Sequence, residues 1–156
     1  MGSKVAAQPF VCAPAAGSML NVLGATHIYK ATAAETGGSF SLWEAVFPPG
    51  KGAPPHTHTR EDEAFYVLSG ELTIEFEGGS HRVASGGFFF GPRNRRHAVR
   101  NAGDKPARVL ILSAPSCGLD QMFGELDAAS AAGMPDFATV MAICAKYGVI
   151  IEPPAA

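Results

Sequence analysis

The chain has 156 residues, 47% of them hydrophobic and 17% charged, with a formal net charge of −2. That length suits one domain in which roughly 70% of the unfolded surface is buried, so a full core needs no covalent staples. The small net charge supplies no basic field for nucleic acid, which leaves a small-molecule substrate or a second copy of the chain as the expected partner.

Residues 1–19 read as an N-terminal arm. Its apolar patches are broken by Gln8, Pro9 and Pro14 before an export-type run develops. Ala6 stands where a myristoylation motif needs Ser or Thr. No uninterrupted apolar stretch reaches the length of a membrane span, so no membrane association is expected. Cys12, Cys117 and Cys144 are odd in number, far apart and without a C-x-x-C pair, which argues against a disulfide framework and suits a cytoplasmic protein.

Residues 20–114 read as a β-barrel. Candidate strands are Ala25 to Ala33, Ser39 to Phe47, Glu63 to Leu68, Glu71 to Glu77, His81 to Ala84, Phe88 to Phe90, His97 to Arg100 and Arg108 to Ser113. Turn chemistry separates them at Thr36-Gly37-Gly38, Pro48-Pro49-Gly50, Gly78-Gly79, Gly86-Gly87 and Asn101-Ala102-Gly103-Asp104. A run of roughly eight short strands suggests an all-β barrel or jelly roll. Residues 115–156 form a helical extension: Leu119, Met122, Phe123 and Leu126 recur at helical spacing, as do Phe137, Val140, Met141 and Cys144. Pro135 fits the first turn of the second helix and Gly148 its C-terminal cap. Both stripes are expected to pack on the barrel.

The most informative stretch is Gly50 to Gly70, GKGAPPHTHTREDEAFYVLSG, whose spacing can gather His56, His58 and Glu63 as metal ligands, with His97 supplying a fourth. His56 and His58 are two apart and project from one face of an extended segment. Glu63 lies at an odd offset from His58, so Thr59-Arg60-Glu61-Asp62 must turn or bulge to bring its carboxylate back toward the imidazoles. Three imidazoles and a carboxylate suit a divalent transition metal (Fe, Mn, Ni, Co, Cu or Zn) and not a calcium cage. In six-coordinate geometry such a set leaves two positions open for water, dioxygen or a bidentate substrate. Glu63 can also accept a substrate hydroxyl proton, which makes it the candidate catalytic residue as well as a ligand.

A second stretch, Gly86 to Asn101, carries an apolar strand into a proline turn that delivers His97. Together the two stretches resemble the paired cupin motifs, G-x5-H-x-H-x4-E-x6-G and G-x5-P-x-G-x2-H-x3-N. Gly50, His56, His58, Glu63 and Gly70 fill the first, and Gly86, Pro92, His97 and Asn101 fill the second. Asn94 replaces a glycine of the second motif, and Asn is the non-glycine residue that best tolerates positive φ there. The resemblance implies a cupin double-stranded β-helix, a jelly-roll barrel with a short α-helical C-terminal tail, and a metal inside it on His56, His58, Glu63 and His97. The words HTHTREDEAFYVLSGEL, the preceding Thr36-Gly37-Gly38 and the helical tail further resemble single-domain proteins similar to quercetin 2,3-dioxygenase.

Other residues take plainer readings. His27 reads as a boundary residue, His81 as a solvated strand residue, and Glu61 and Asp62 as loop solvation, with Glu61 the substitute ligand if the register shifts. Glu44, in an otherwise apolar strand, supports a ligand or lies at an interface or edge. The rings of Phe88-Phe89-Phe90 are expected to divide between the barrel interior and the sheet interface. Phe65, Val67, Phe88 or Phe90 would then line an apolar pocket. Arg93, Arg95 and Arg96 read as a solvated loop or intersubunit ion pairs, against the alternative of greeting an anion at the barrel mouth. Open sheet edges and an apolar N-terminal strand containing Val22, Leu23, Ile28 and Tyr29 point to a homodimer. Three functions stay open at this point: a metal-dependent dioxygenase acting on a flavonol- or catechol-like substrate, a non-oxidative metal-dependent isomerase, lyase or cyclase, and a small-molecule-binding protein without turnover.

Overall fold

The computed structural model describes residues 7–153. Of the predicted N-terminal arm, residues 1–6 lie outside the described residues. In chain order the strands are β1 (Ser18–Val22), β2 (Ala25–Ala31), β3 (Ser41–Phe47), β4 (Gly52–His58), β5 (Asp62–Ser69), β6 (Glu71–Phe76), β7 (Gly79–Ala84), β8 (Phe88–Gly91), β9 (His97–Arg100) and β10 (Ala107–Ala114). Helices α1 (Leu119–Ala129) and α2 (Phe137–Lys146) follow, and a last strand, β11 (Val149–Ile151), closes the described chain. One sheet has the order β1-β2-β3-β10-β5-β8 and the other β11-β4-β9-β6-β7. All pairings are antiparallel, and the two faces enclose the core of a jelly roll.

Period-two patterning sets which side chains point inward. On β2 and β3 every second residue is buried, and Trp43, Ala45, Val67, Leu72, Ile74 and Val109 lose all exposure. The helices lay Leu119, Met122 and Leu126, then Val140, Ile143 and Cys144, against this core. Met141, expected in the second stripe, is instead 37% exposed, because the stripe is rotated toward Ile143.

Three strands lie outside the predicted set. β1 is short, forms a hairpin with β2 at the edge of its sheet, and turns the Val22 and Tyr29 side chains into the chain's own core. β4 contains Pro54 and Pro55, residues that cannot donate to a ladder, and its register with β9 shifts between Ala53 and His56 where they sit. β11 follows α2, so the C-terminal extension is not purely helical. Pro135 also lies outside the second helix, whose cap is Asp136, the side chain accepting from Thr139 N at 2.7 Å. Gly79 opens β7 instead of sitting in the turn.

β11 bears directly on the site. It pairs with β4 so that Val149 faces His58 and Ile151 faces His56. Gly148, at φ 77°, ends α2 in the left-handed region, and its carbonyl accepts from Thr59 N at 2.9 Å and Thr59 Oγ1 at 2.7 Å. A Cβ there would stand 2.5 Å from Thr59 Oγ1, so this close approach requires glycine. The C-terminal segment thus clamps the strand and turn that carry the first two imidazoles.

Candidate metal centre

His56 and His58 project inward from β4, and His97 stands opposite His56 on β9 of the same sheet. Glu63 comes from β5 of the other sheet. The break at residues 59–61 is therefore a crossover between the two faces of the barrel, which resolves the odd offset between His58 and Glu63. The turn is laced to the one preceding His97. Arg93 donates to Asp62 through its backbone N (2.9 Å) and guanidinium (3.1 and 2.9 Å), and Asn94 N donates to His58 O at 2.7 Å. Asn94 holds φ 62°, the conformation anticipated from its motif position. Asn101 is fully buried and bonds the Phe47 and Lys105 carbonyls at 2.8 Å each, fastening the loop beyond β9.

One ligand atom from each of His56, His58, Glu63 and His97 lies within 4.8 Å of the other three, and all four residues are buried. His56 Nε2 is 3.1 Å from His58 Nε2, and Glu63 Oε2 lies 3.2 Å from His58 Nε2 and 3.3 Å from His97 Nε2. On the far side of each ring, Nδ1 meets an acceptor: Pro54 O at 2.7 Å for His56, Glu61 Oε1 at 2.7 Å for His58, and Arg95 O at 3.3 Å for His97. An Nδ1 proton engaged there turns the Nε2 lone pair toward the centre, the tautomer a metal ligand needs. The donor set therefore fits a divalent metal.

The electrostatics express the same demand for positive charge. Burial opposes charge on His58, but the carboxylates of Glu63 and Glu61 outweigh it and raise its pKa to about 10. Burial, reinforced by His58, lowers His56 to about 4. Burial would raise the Glu63 carboxyl, yet the charge of His58 and its hydrogen bond hold it well below the usual carboxylate range.

Glu61 corrects the sequence reading. It does not solvate the loop: it is completely buried and holds His58 in place. The signal was its position three residues beyond His58. His27 is another correction, because it is 5% exposed inside the barrel and lines the same cavity as His56, His58 and Glu63. That cavity, about 90 Å³, is walled by apolar side chains including Phe47, Phe65, Met122 and Phe123. Phe65 lines it as expected, whereas Phe88 and Phe90 point outward at 62% and 53% exposure and only Phe89 faces inward. Glu44 lies on the outer sheet face and accepts from Arg108 Nε at 2.9 Å, so it supports no ligand. Arg95 and Arg96 pair with Glu77 (3.8 Å) and Glu152 (2.7 Å) within the chain. His81 is exposed and stacks on Phe76, centroids 4.3 Å apart.

The family profile described as Cupin domain matches residues 43–113, the span holding all four clustered residues. Over 77 residues the chain is 39% identical to germin-like protein subfamily 2 member 2 of Arabidopsis thaliana, covering 46% of this chain and 35% of that protein. It is 31% identical over 67 residues to the tetracenomycin polyketide synthase protein TcmJ of Streptomyces glaucescens, covering 43% and 45% respectively. The matches thus span less than half the length of either relative. Among solved structures, KdgF from Halomonas sp. superposes with a TM-score of 0.59 at 23% identity, over 69% of this chain and 94% of that one. This likeness establishes the shared fold. Among the described residues no helix is long and apolar enough to cross a membrane.

Proposed function

This chain belongs to the cupin superfamily, and we propose that it is a metal-dependent enzyme acting on a compact aromatic or enolic substrate, with dioxygenation as its reaction. The observation that carries the reading is the meeting of a buried three-histidine, one-glutamate cluster with an apolar cavity on the same barrel interior. A bound divalent metal would supply Lewis acidity and a site for dioxygen or an oxygen pair. His56, His58, Glu63 and His97 would hold it. Phe47 and Phe65 exclude water and pack the apolar part of the substrate, and Glu63 takes the hydroxyl proton. A cavity of about 90 Å³ is well below the range usual for drug-sized ligands, which disfavours a three-ring flavonol. The unpaired thiols of Cys12, Cys117 and Cys144 accord with a reducing cytoplasm.

A second reading, non-oxidative Lewis-acid isomerisation or cyclisation, draws support from the name of the Streptomyces relative, a polyketide synthase protein. Oxygen-electrode assays of metal-reconstituted protein with catechols, then flavonols, decide between them. Oxygen consumption matched to product establishes the dioxygenase. Conversion that proceeds equally without oxygen replaces it with the Lewis-acid reaction, and tight binding without conversion leaves a ligand-binding protein.

A further inference from the structure

Among the described residues the buried side-chain polar atoms without a partner are His27 Nδ1, Tyr29 Oη, Trp43 Nε1, Glu61 Oε2, Ser113 Oγ and Asp120 Oδ1, and of these residues His27 and Trp43 line the cavity. They belong to neighbouring strands of one sheet: His27 pairs with Ala45, two residues along β3 from Trp43, so both side chains lie on the inner face in adjacent rows. Phe123 of α1 packs on both, with ring centroids 4.7 Å from His27 and 5.7 Å from Trp43, and Phe47 meets the His27 ring edge-on at 6.0 Å. Both residues line the cavity that also touches His56, His58 and Glu63.

A barrel core has no packing need for an imidazole at position 27, since phenylalanine or leucine would fill the space without stranding a polar nitrogen. Buried polar groups left unpaired are uncommon in native proteins because each forfeits its hydrogen bonds to water. Two of them, side by side on the wall of the cavity that reaches the metal-binding cluster, mark a place where a ligand completes the bonding. Burial lowers the His27 pKa to about 4 against the opposing pull of Glu63, so the ring is neutral near pH 7, with one donor and one acceptor. Trp43 offers a donor only.

We propose that His27 and Trp43 form the second polar anchor of the substrate site, binding a carbonyl or hydroxyl oxygen carried on the ring beyond the oxygen pair that approaches the metal. The substrate class narrows accordingly, to compact rings bearing an oxygen pair and a further oxygen function. This inference rests on the substrate reading given above. The apolar walls hold the ring, and the two nitrogens choose its orientation.

The test uses metal-loaded protein and two probes: catechol, which has only the oxygen pair, and protocatechualdehyde, which adds a carbonyl. Calorimetric titration of the wild type should show the aldehyde binding about three- to tenfold tighter, the worth of one ordinary hydrogen bond. His27→Phe should erase that preference while metal content per chain stays unchanged, and His27→Gln, which keeps a donor and an acceptor, should restore part of it. Without any probe, His27→Phe should melt no lower than the wild type, because it removes a stranded polar group from an apolar wall. Equal affinity of the wild type for the two probes, or a preference that survives in His27→Phe, overturns the anchor while leaving the metal-site reading intact. A clearly lower melting temperature for His27→Phe also overturns it, since His27 would then be a bonded core residue. If the wild type binds neither probe, the substrate reading fails and takes the anchor with it.

Discussion

His56 Nε2 and His58 Nε2 face each other at 3.1 Å while their Nδ1 atoms are engaged by Pro54 O and Glu61 Oε1 on the far sides of the rings. Two nitrogen lone pairs cannot meet at that distance in a buried site unless positive charge lies between or beside them. A metal ion supplies it, and in its place so does a proton on His58, held there by Glu63 and Glu61. Metal and proton therefore compete for the same position.

Metal binding must displace the His58 proton wherever the ion-free ring is protonated, which with a pKa of about 10 includes neutral pH. The apparent affinity should fall about tenfold for each unit of acidification in this window, one proton being exchanged per metal. Competition titrations against a chelator at several pH values measure the slope, and a pH-independent affinity refutes the competition. Replacing His56 and His58 together with Ala should abolish binding; undiminished metal by elemental analysis in that double variant would remove the site assignment.

Glu61 fixes the ring of His58 without being one of the four clustered residues. Glu61→Gln keeps the size but weakens the acceptor, and loss of such a partner typically lowers metal affinity about 10- to 100-fold. The fold should persist, because the side chain bears on the centre and not on the apolar core. Parallel metal titration and thermal melting check this: a variant that melts like the wild type but holds metal more weakly is expected, and unchanged affinity counts against the role.

His56 and His58 were legible in sequence because they share one face of a strand, and Glu63 and His97 through their places in the two cupin motifs. Asn94 was legible for a similar local reason, its tolerance of positive φ. Glu61 and His27 were not. An acidic residue in a polar run looks solvated until the crossover between sheets draws it inside, and a histidine in an alternating strand gives no sign of which face is buried. β4 was obscured by its two prolines and β11 by its brevity, although pairing between them braces the histidines. These features arise from contacts between distant segments, which periodicity cannot register.

We propose a homodimer formed through the outer face of β5 and β8. Val22 and Tyr29 are used in the chain's own core, whereas Tyr66, Leu68, Phe88 and Phe90 are 45%, 38%, 62% and 53% exposed. Tyr66 stands opposite Phe88 in the register of β5 with β8, and β8 is an edge strand, so the apolar patch reaches an open edge. Light scattering should give twice the chain mass at micromolar concentration, and Phe88→Glu combined with Phe90→Glu should reduce it to the monomer without loss of metal. A monomeric wild type rejects the dimer.

Glu63 separates the enzymatic readings from a passive metal site. Its carboxyl lies 3.2 Å from His58 Nε2 and 3.3 Å from His97 Nε2, and is held well below the usual range by the positive charge beside it. A carboxylate so placed is ionised at neutral pH, the state in which it can accept a proton, and the acidity of a substrate hydroxyl rises near a metal. Glu63→Gln retains the shape and one oxygen donor but no useful basicity, so the three imidazoles should keep a measurable share of the metal. Turnover per bound metal should drop by about 10² to 10⁴, the usual worth of a positioned acid or base. Metal content and turnover must be measured on the same preparation, because a fall in both by the same factor reports only a lost ligand. Near wild-type turnover per metal in Glu63→Gln would remove Glu63 as the base and leave the proton to another acceptor in the site.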